Sequence, residues 1–246
     1  MIFTGRATSD FYRYTKKTCG YMLPPAMFVR MLLSMSEDKI QAAENAVDSL
    51  DPILPSEIGF DIDGVVADTM KAFIRIAEEE FGIDYIKKEQ ITSYWIEECL
   101  PIPVDIIKAI INRLLMDPIG IRLEPLPGAR EALMRLAAQD TLTFVTARSV
   151  KEPIEDWLIS LLSGVAHRDI RVIATGQYSA KAGVLDELKL RYFIDDHLET
   201  CRDLHKRGIK TFVFDQPWNR GNTPFLRIRS WKALSGIIKM PSLTAE

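Results

Sequence analysis

Cysteine is scarce in this sequence, and long apolar runs are absent from it. The 246 residues include three cysteines, Cys19, Cys99 and Cys201, and no two of them stand at CxxC spacing. Zinc sites and disulfide frameworks use paired cysteines, so this spacing argues against both and favours free thiols in a reducing compartment. No apolar run reaches the length of a membrane span. Residues 26–35 are apolar, but Arg30 and the lack of a small-residue cleavage site argue against a signal peptide, so we expect a cytoplasmic protein.

An excess of charge of one sign is also lacking. Lys and Arg number 31, Asp and Glu number 34, and the formal net charge is −3. A nearly neutral chain has no general attraction for a polyanion, so we expect no nucleic-acid polymer as a partner, although small anions can bind in local basic pockets. Neither GxGxxG nor GxxxxGK[ST] occurs, which argues against a dinucleotide enzyme and a P-loop NTPase. The histidines form no cluster at metal-ligand spacing, and His197 is expected at the surface.

Residues 1–56 differ in pattern from the rest of the chain. After Ser36, four apolar residues recur at helical spacing before the prolines at 52 and 55: Ile40, Ala43, Val47 and Leu50. We therefore predict an N-terminal helical extension over 1–56, outside the main folding unit. Such an amphipathic helix could pack against a second subunit, so a homodimer is one assembly that the sequence allows.

From Glu57 onward, short apolar runs alternate with amphipathic helical patterns. Strands are predicted at 58–60, 142–145, 170–174, 192–194 and 211–214. Helices are predicted at 70–81 with apolar positions Met70, Phe73, Ile74, Ala77 and Phe81, at 104–116, after Gly128, around 154–162, at 181–189, and before Gly208. This alternation predicts the α/β class and a Rossmann-like, doubly wound parallel sheet.

Polar residues follow the predicted strands at the points where they end: Asp61, Thr146, Asp195 with Asp196, and Asp215. The carboxyl ends of parallel strands meet at one edge of a sheet, and ligands of such sheets bind there. We therefore expect these side chains to form the rim of an active site.

The segment 60–69, with sequence FDIDGVVADT, is the most specific pattern. Residues i and i+2 of an extended chain point to the same side, so Asp61 and Asp63 can face one site, and Gly64 lets the chain turn away. Two adjacent carboxylates repel each other, and a divalent cation is the usual compensation. An EF-hand is excluded because Val66 and Ala72 stand where that loop needs Gly and Glu.

Three further patterns are weaker when each is taken alone. Thr146 follows a buried strand and could donate a hydrogen bond to a phosphoryl oxygen, although threonine is common at strand ends. Lys181 opens a helix and could neutralise a phosphate, although a single lysine is usually solvated. Asp195 and Asp196 follow an apolar strand, where adjacent acids are costly unless a cation such as magnesium lies beside them.

Together, the four patterns resemble the motifs of the haloacid dehalogenase superfamily of phosphatases: Asp-x-Asp, Ser or Thr, Lys or Arg, and paired acids. The resemblance covers residues 57–231. Within the superfamily the chain is similar to the 5'(3')-deoxyribonucleotidase group and its bacterial relatives. The supporting segments are 123–129 (LEPLPGA), 194–196 (IDD) and 215–219 (DQPWN).

This resemblance implies a magnesium-dependent phosphomonoesterase with an aspartyl-phosphate intermediate. Asp61 would attack phosphorus, and Asp63 would act as general acid and then as general base. Magnesium would be held by the Asp61 carboxylate, the Asp63 backbone carbonyl and Asp196, with Asp195 in support. The implied substrate is a small phosphorylated metabolite.

The phosphate-binding positions depart from the nucleotidase pattern. The resemblance implies that Thr146 and Lys181 position the phosphoryl group. The nucleotidases have a second hydroxyl residue after the threonine, whereas this chain has Ala147 and Arg148. Arg148 could contact the substrate phosphate or pair with Glu152 at the surface, and both interpretations stay open.

The domain organisation follows from the same resemblance. Residues 57–68 and 123–246 correspond to the α/β core, and 69–122 to a small helical cap inserted after the first strand, which closes over the site and selects the substrate. Tyr94 and Trp95 resemble the aromatic stretch that nucleotidases place against a base, although a plain structural role inside the cap fits equally well.

We expect the substrate to be a nucleoside monophosphate. The alternatives are another small phosphomonoester, such as a sugar phosphate or phosphoglycolate, and a non-catalytic assembly module that uses the N-terminal extension. The sequence does not decide what residues 1–35 do.

Overall fold

Six parallel strands form the sheet in the computed structural model of the protein, which describes residues 53–238. They are β1 (Ile58–Phe60), β2 (Leu142–Thr146), β3 (Ile170–Ala174), β4 (Tyr192–Asp195), β5 (Lys210–Phe214) and β6 (Leu226–Ile228). The five predicted strands are all present. The sixth was not predicted, because Arg227 stands between its two apolar residues and no continuous apolar run marks it. The helix predicted after Ser36 lies outside the described residues.

The strand order is β3-β2-β1-β4-β5-β6, and every neighbouring pair is parallel. All residues of β1, β2 and β4 are buried, which explains why these strands appear in the sequence as apolar runs without alternation. The chain leaves β1 toward β2 on one side, and β4 lies on the other side. This is the topological switch point of a doubly wound sheet, so the predicted fold class is confirmed.

Seven α-helices connect or flank the strands in the described part of the chain. They are α1 (Thr69–Phe81), α2 (Val104–Met116), α3 (Ala129–Ala137), α4 (Glu152–Leu161), α5 (Lys181–Glu187), α6 (Leu198–Lys206) and α7 (Trp231–Ile237). The first six were predicted, and α7 was not. Within residues 53–238, no helix has both the length and the apolar character needed to cross a membrane.

Helix α1 has clear boundaries, but its predicted apolar face was partly wrong. The Asp68 side chain accepts a hydrogen bond from the Lys71 N–H at its start, and Gly82, with φ of +66°, ends it. Phe73 and Ala77 are buried as predicted, but Ile76 belongs to the buried face and Phe81 is exposed. Phe81 stands next to the glycine that turns the chain, so it is carried out of the packed surface.

The loop after β1 is held by the far end of the chain. The indole of Trp231, at the start of α7, is fully buried and lies 5.5 Å from the Phe60 ring. Its Nε1 donates a 2.7 Å hydrogen bond to the carbonyl of Val65. The position of the segment that follows β1 therefore depends on packing against the last helix.

Candidate active site

The chain turns sharply after β1 and places two aspartates at the carboxyl edge of the sheet. Asp61 is buried, and Asp63 is partly exposed. The turn closes through hydrogen bonds from the N–H of Gly64 to the Ala67 carbonyl and from the N–H of Ala67 to the Ile62 carbonyl. Gly64 has φ of +73°, a conformation that costs little only for glycine.

Asp61, Asp195 and Asp196 meet at the switch point. Each contributes a carboxylate oxygen that lies within 4.8 Å of the corresponding oxygens of the other two, and all three residues are buried. Asp61 follows β1, Asp195 ends β4, and these strands are neighbours in the sheet. Strand pairing therefore brings together acids that are more than 130 positions apart in the sequence. Asp215 follows β5 at the carboxyl edge, as predicted, but is not one of these three acids, and it forms an ion pair with Arg227 at 2.9 Å.

Lys181 is the cation that contacts two of these acids. It is the first residue of α5 and is almost fully buried, with Nζ 2.9 Å from Asp61 Oδ1 and 2.8 Å from Asp195 Oδ2. Burial alone would lower the pKa of the lysine, but Asp195 and Asp61 together raise it above its usual range. Lys181 is therefore charged, and the interpretation of a solvated lysine does not hold.

One ammonium group does not balance three buried carboxylates. Burial raises the pKa of Asp61 to about 7, with Lys181 opposing the shift and Asp195 adding to it. Burial, followed by repulsion from Asp195 and Asp61, raises the pKa of Asp196 well above its usual value. Asp61 Oδ1 is buried, and the ammonium of Lys181 lies 2.9 Å from it. The surplus of buried carboxylate oxygens over positive charge fits a hard divalent cation.

The segment after β5 holds Asp196 in place. Trp218 Nε1 donates to Asp196 Oδ2 at 2.9 Å, and Asn219 Nδ2 donates to the Asp196 carbonyl at 2.7 Å. Gln216 Nε2 donates to the Gly64 carbonyl at 2.6 Å, which joins this segment to the first turn. Sequence analysis noted the segment as part of a resemblance but missed these contacts, because nothing local shows which residues a loop side chain will reach.

Asp63 is held by two side chains. Arg148 Nε and Nη2 donate to its two carboxylate oxygens at 2.9 and 2.8 Å, and Thr69 Oγ1 donates to Oδ1 at 2.7 Å. Burial alone would raise the pKa of Asp63, but Arg148 lowers it below its usual value. The predicted alternative for Arg148, a surface pair with Glu152, is wrong, because the side chain is buried and reaches back across the site to Asp63.

Thr146 and Ala147 lie where the sequence placed them, at the carboxyl end of β2. The Thr146 hydroxyl is buried, and its oxygen accepts a 3.3 Å hydrogen bond from the Arg148 backbone N–H. A hydroxyl that accepts in this way can still donate its own hydrogen to a phosphoryl oxygen. Ala147 lines the cavity described next.

A cavity of about 420 Å³ opens beside the acidic cluster, between the core and the insert (residues 69–122). From the acidic side it is lined by Asp63 and Asp196. Its remaining lining is largely apolar and aromatic, and includes Met70, Ile91, Tyr94, Trp95, Ile96, Ile111, Leu114, Leu115 and Trp218. A volume of this size can enclose a small organic molecule.

Tyr94 and Trp95 bring aromatic surface to this cavity. They are 37% and 43% exposed, so part of each side chain is packed and part remains accessible beside the cavity. The Tyr94 ring stacks on His197 at 3.9 Å between centroids, and the Trp95 ring lies 6.3 Å from that of Tyr178. Burial and the neighbouring carboxylates, Asp196 first, raise the pKa of Tyr94 well above its usual value, so its phenol is neutral.

His197 was expected at the surface, and that expectation is wrong. The ring is buried between Tyr94 and α6, and its Nδ1 lies 2.9 Å from Thr200 Oγ1. Its backbone N–H donates to Asp195 Oδ1 at 2.8 Å. Burial lowers the pKa of His197, so the ring is neutral and serves as a flat surface beside the acids.

Comparison with known proteins identifies a matching family and similar proteins. Residues 55–243 match the model of the family described as 5' nucleotidase, deoxy (pyrimidine), cytosolic type C protein. A nucleotidase of Clostridium acetobutylicum is 22% identical over 186 residues, which cover 74% of this chain and 92% of that protein. A HAD-superfamily hydrolase of subfamily IA, variant 1, from Geobacter sulfurreducens has the same fold, with a TM-score of 0.50, 20% identity, and coverage of 74% of this chain and 95% of its own.

The family match spans most of the chain and includes every strand and helix of the sheet domain. The resemblance to haloacid dehalogenase phosphatases, first seen in four short motifs, is therefore confirmed. The protein belongs to the 5' nucleotidase, deoxy (pyrimidine), cytosolic type C family, a family of phosphomonoesterases with the haloacid dehalogenase fold.

Proposed function

We propose that this protein is a magnesium-dependent phosphatase that hydrolyses nucleoside monophosphates through an aspartyl phosphate on Asp61. The observation that carries the proposal is the meeting of Asp61, Asp195, Asp196 and Lys181 at one edge of the sheet, beside an aromatic cavity. Each of these groups has a separate task in the reaction.

The oxygen atoms at the switch point would hold the cation. The carboxylates of Asp61 and Asp196 and the backbone carbonyl of Asp63 are the proposed ligands, and Asp195 supports them by holding Lys181. A bound magnesium ion supplies positive charge that offsets the charge of the carboxylates and of the substrate phosphate.

Asp61 is placed to act as the nucleophile. One of its oxygens attacks phosphorus while the bond from phosphorus to the ester oxygen breaks, and Asp63, which must carry a proton in this step, gives that proton to the ester oxygen, so an alcohol leaves. A water molecule then attacks the phosphorus of the aspartyl phosphate and gives a proton to Asp63. The bond between phosphorus and Asp61 breaks, and inorganic phosphate and the free carboxylate are restored.

Lys181 and Thr146 would orient the phosphoryl group. The ammonium of Lys181 is already 2.9 Å from the nucleophilic carboxylate, so a phosphoryl group beside Asp61 lies within its reach. The Thr146 hydroxyl and the backbone N–H of Ala147 stand at the neighbouring strand end and can donate to phosphoryl oxygens. Donors held in a buried site stabilise charge that builds up on those oxygens in the transition state.

The cavity favours a nucleoside as the leaving group. The faces of Tyr94 and Trp95 suit stacking against a base, which contributes roughly 1–3 kcal/mol per base in other proteins. Among the described residues that line the cavity, Arg148 is the only cation, and Glu97 adds a negative charge. A second phosphate group would therefore find little compensation, which favours a monophosphate.

A substrate panel with purified protein and MgCl₂ tests the proposal. We expect nucleoside monophosphates to be hydrolysed faster than ribose 5-phosphate and phosphoglycolate, and Asp61→Asn to abolish turnover of all of them. Asp61→Asn with most activity retained, or no hydrolysis by the wild type of any compound, would refute the proposed function. If the protein prefers sugar phosphates, the proposed substrate class is wrong, but the proposed reaction mechanism still applies.

The variant Trp95→Ala distinguishes base stacking from a general contribution of Trp95 to the shape of the cavity. We expect it to raise KM for nucleotides about 5- to 50-fold, corresponding to about 1–2 kcal/mol of stacking, and to change KM for ribose 5-phosphate little. Equal losses on both substrates would remove the stacking argument. Tyr85→Ala, another exposed aromatic of the insert that does not line the cavity, is the matched control.

A further inference from the structure

Arg148 is more deeply engaged with the protein than a substrate-binding arginine needs to be. Its side chain is 2% exposed, and its Nε and Nη2 form a two-point contact with the carboxylate of Asp63. A planar guanidinium that binds both oxygens of a carboxylate fixes the orientation of that carboxylate as well as its charge. Thr69 adds a third hydrogen bond to the same group.

The other edge of the guanidinium binds the end of α2. Nη1 donates to the carbonyl of Leu114 at 2.9 Å and points to that of Leu115 at 3.5 Å. These carbonyls belong to the last turn of the helix, where no further helical N–H is available to pair with them. Arg148 thus links the insert, the end of β2 and the loop that carries Asp63.

This bonding pattern leaves little capacity for a phosphate. A guanidinium has five N–H groups, and four of those of Arg148 point at acceptors in the protein. A two-point contact with a phosphate would require Arg148 to release Asp63 or α2. The geometry therefore favours an action on the reaction through Asp63.

We propose that Arg148 is a positioning residue that holds the Asp63 carboxylate in line for proton exchange with the leaving oxygen and with water. This inference rests on the proposed phosphatase function and adds to it a role for Arg148. Because Arg148 also binds the end of α2, the position of that helix affects the orientation of the Asp63 carboxylate.

The role predicts an effect that depends on the leaving group. A nucleoside monophosphate expels an alkoxide, which needs a proton as it leaves, whereas p-nitrophenyl phosphate expels a phenolate that is stable without one. Arg148→Lys keeps a positive charge but cannot form the two-point contact. We expect kcat to fall about 10- to 100-fold on the nucleotide and less than about 3-fold on p-nitrophenyl phosphate, with KM for both changed less than about 3-fold.

Three results would overturn the proposal. Equal falls in kcat on both substrates, or a rise in KM with kcat unchanged, would assign Arg148 to phosphate binding. Unchanged kcat and unchanged KM on both substrates would limit its role to hydrogen bonding at the end of α2. Arg113→Lys, an exposed arginine of α2 with surface ion pairs, is the matched control and should match the wild type on both substrates.

A second measurement keeps the test valid if Arg148→Lys folds poorly. In an Asp63→Asn background, Arg148→Gln should cause no further loss on the nucleotide, because the group that Arg148 positions can no longer exchange a proton. A further loss as large as that caused by Arg148→Gln in the wild-type background would contradict the proposal. Thermal unfolding of each variant identifies losses that come from instability. Failure of the proposed function itself would show separately, as an inactive wild type.

Discussion

Gly64 has little space around it, so we expect a single added methyl group to have a large effect there. A Cβ built on Gly64 would collide with the carboxylate of Asp196, whose Cγ would be 2.8 Å away, and would lie 3.1 Å from the Trp218 ring. Asp196 cannot easily move aside, because Trp218 and Asn219 hold it by hydrogen bonds. Gly64→Ala should therefore disturb a proposed metal ligand directly.

The magnitude can be worked out by comparison with a second glycine. Gly82 has φ of +66°, close to the +73° of Gly64, but a Cβ there meets nothing within 4 Å. The left-handed backbone alone costs a non-glycine residue roughly 1–2 kcal/mol, so Gly82→Ala should lower Tm by about 2–8 °C. Gly64→Ala bears the same cost plus about 1–3 kcal/mol for the collision.

The assay is thermal unfolding of both variants with and without MgCl₂, together with nucleotide hydrolysis. We expect Gly82→Ala to keep wild-type activity within about 3-fold and to be stabilised by magnesium. Gly64→Ala should lose more than about 100-fold in activity, because a shift of about 1 Å in a group at a reacting centre lowers the rate by about that factor. It should also lose most of the stabilisation by magnesium, because the added methyl group displaces Asp196. If the two variants match in both measurements, the orientation of Asp196 is not needed for metal binding, and the reasoning is refuted.

Two further predictions concern the same group of acids. Trp218→Phe removes the hydrogen bond to Asp196 and keeps an aromatic ring. The magnesium concentration that gives half-maximal activity should therefore rise about 10-fold, while kcat at saturating magnesium stays the same. An unchanged magnesium concentration would show that the hydrogen bond is not needed for metal binding. The pKa of Asp61 is raised to about 7, so the stability that it contributes is present below pH 4 and is lost as the pH rises through 7. The Tm of the metal-free protein should fall between pH 4 and 8 for this reason. Asp61→Asn should make the fall smaller and leave the part that Asp196 contributes, and an unchanged slope in that variant would contradict the assignment.

The parts of the site that sequence could predict are those set by strand ends. Asp61, Thr146 and Asp195 each follow a short apolar run, and the rule that parallel strands end at one edge is enough to bring them together. Lys181 could be assigned to the site only by the family resemblance, because nothing in the neighbouring sequence shows that a lysine at the start of a helix is buried. The strands β1, β2 and β4 could be predicted because fully buried strands leave apolar runs without alternation.

The parts that sequence could not predict depend on which side chains meet across long separations. Arg148 reaches Asp63, 85 positions away in the chain, and its surface pairing with Glu152 seemed reasonable only because Glu152 is near in sequence. The burial of His197 depends on Tyr94 from the insert, so nothing in the residues around His197 reveals it. The strand β6 was missed because Arg227 stands between its two apolar residues, so no continuous apolar run marks it.

The contact between Trp231 and the first loop has a consequence for synthesis on the ribosome. The indole supports the backbone that follows Asp61 through its bond to Val65, yet it enters the chain 166 residues after that valine. While translation is under way, the emerging polypeptide carries the proposed nucleophile long before it carries Trp231. Competence for turnover should thus arise only when α7 has left the exit tunnel, and shorter nascent products should be inactive although they contain every proposed reacting group.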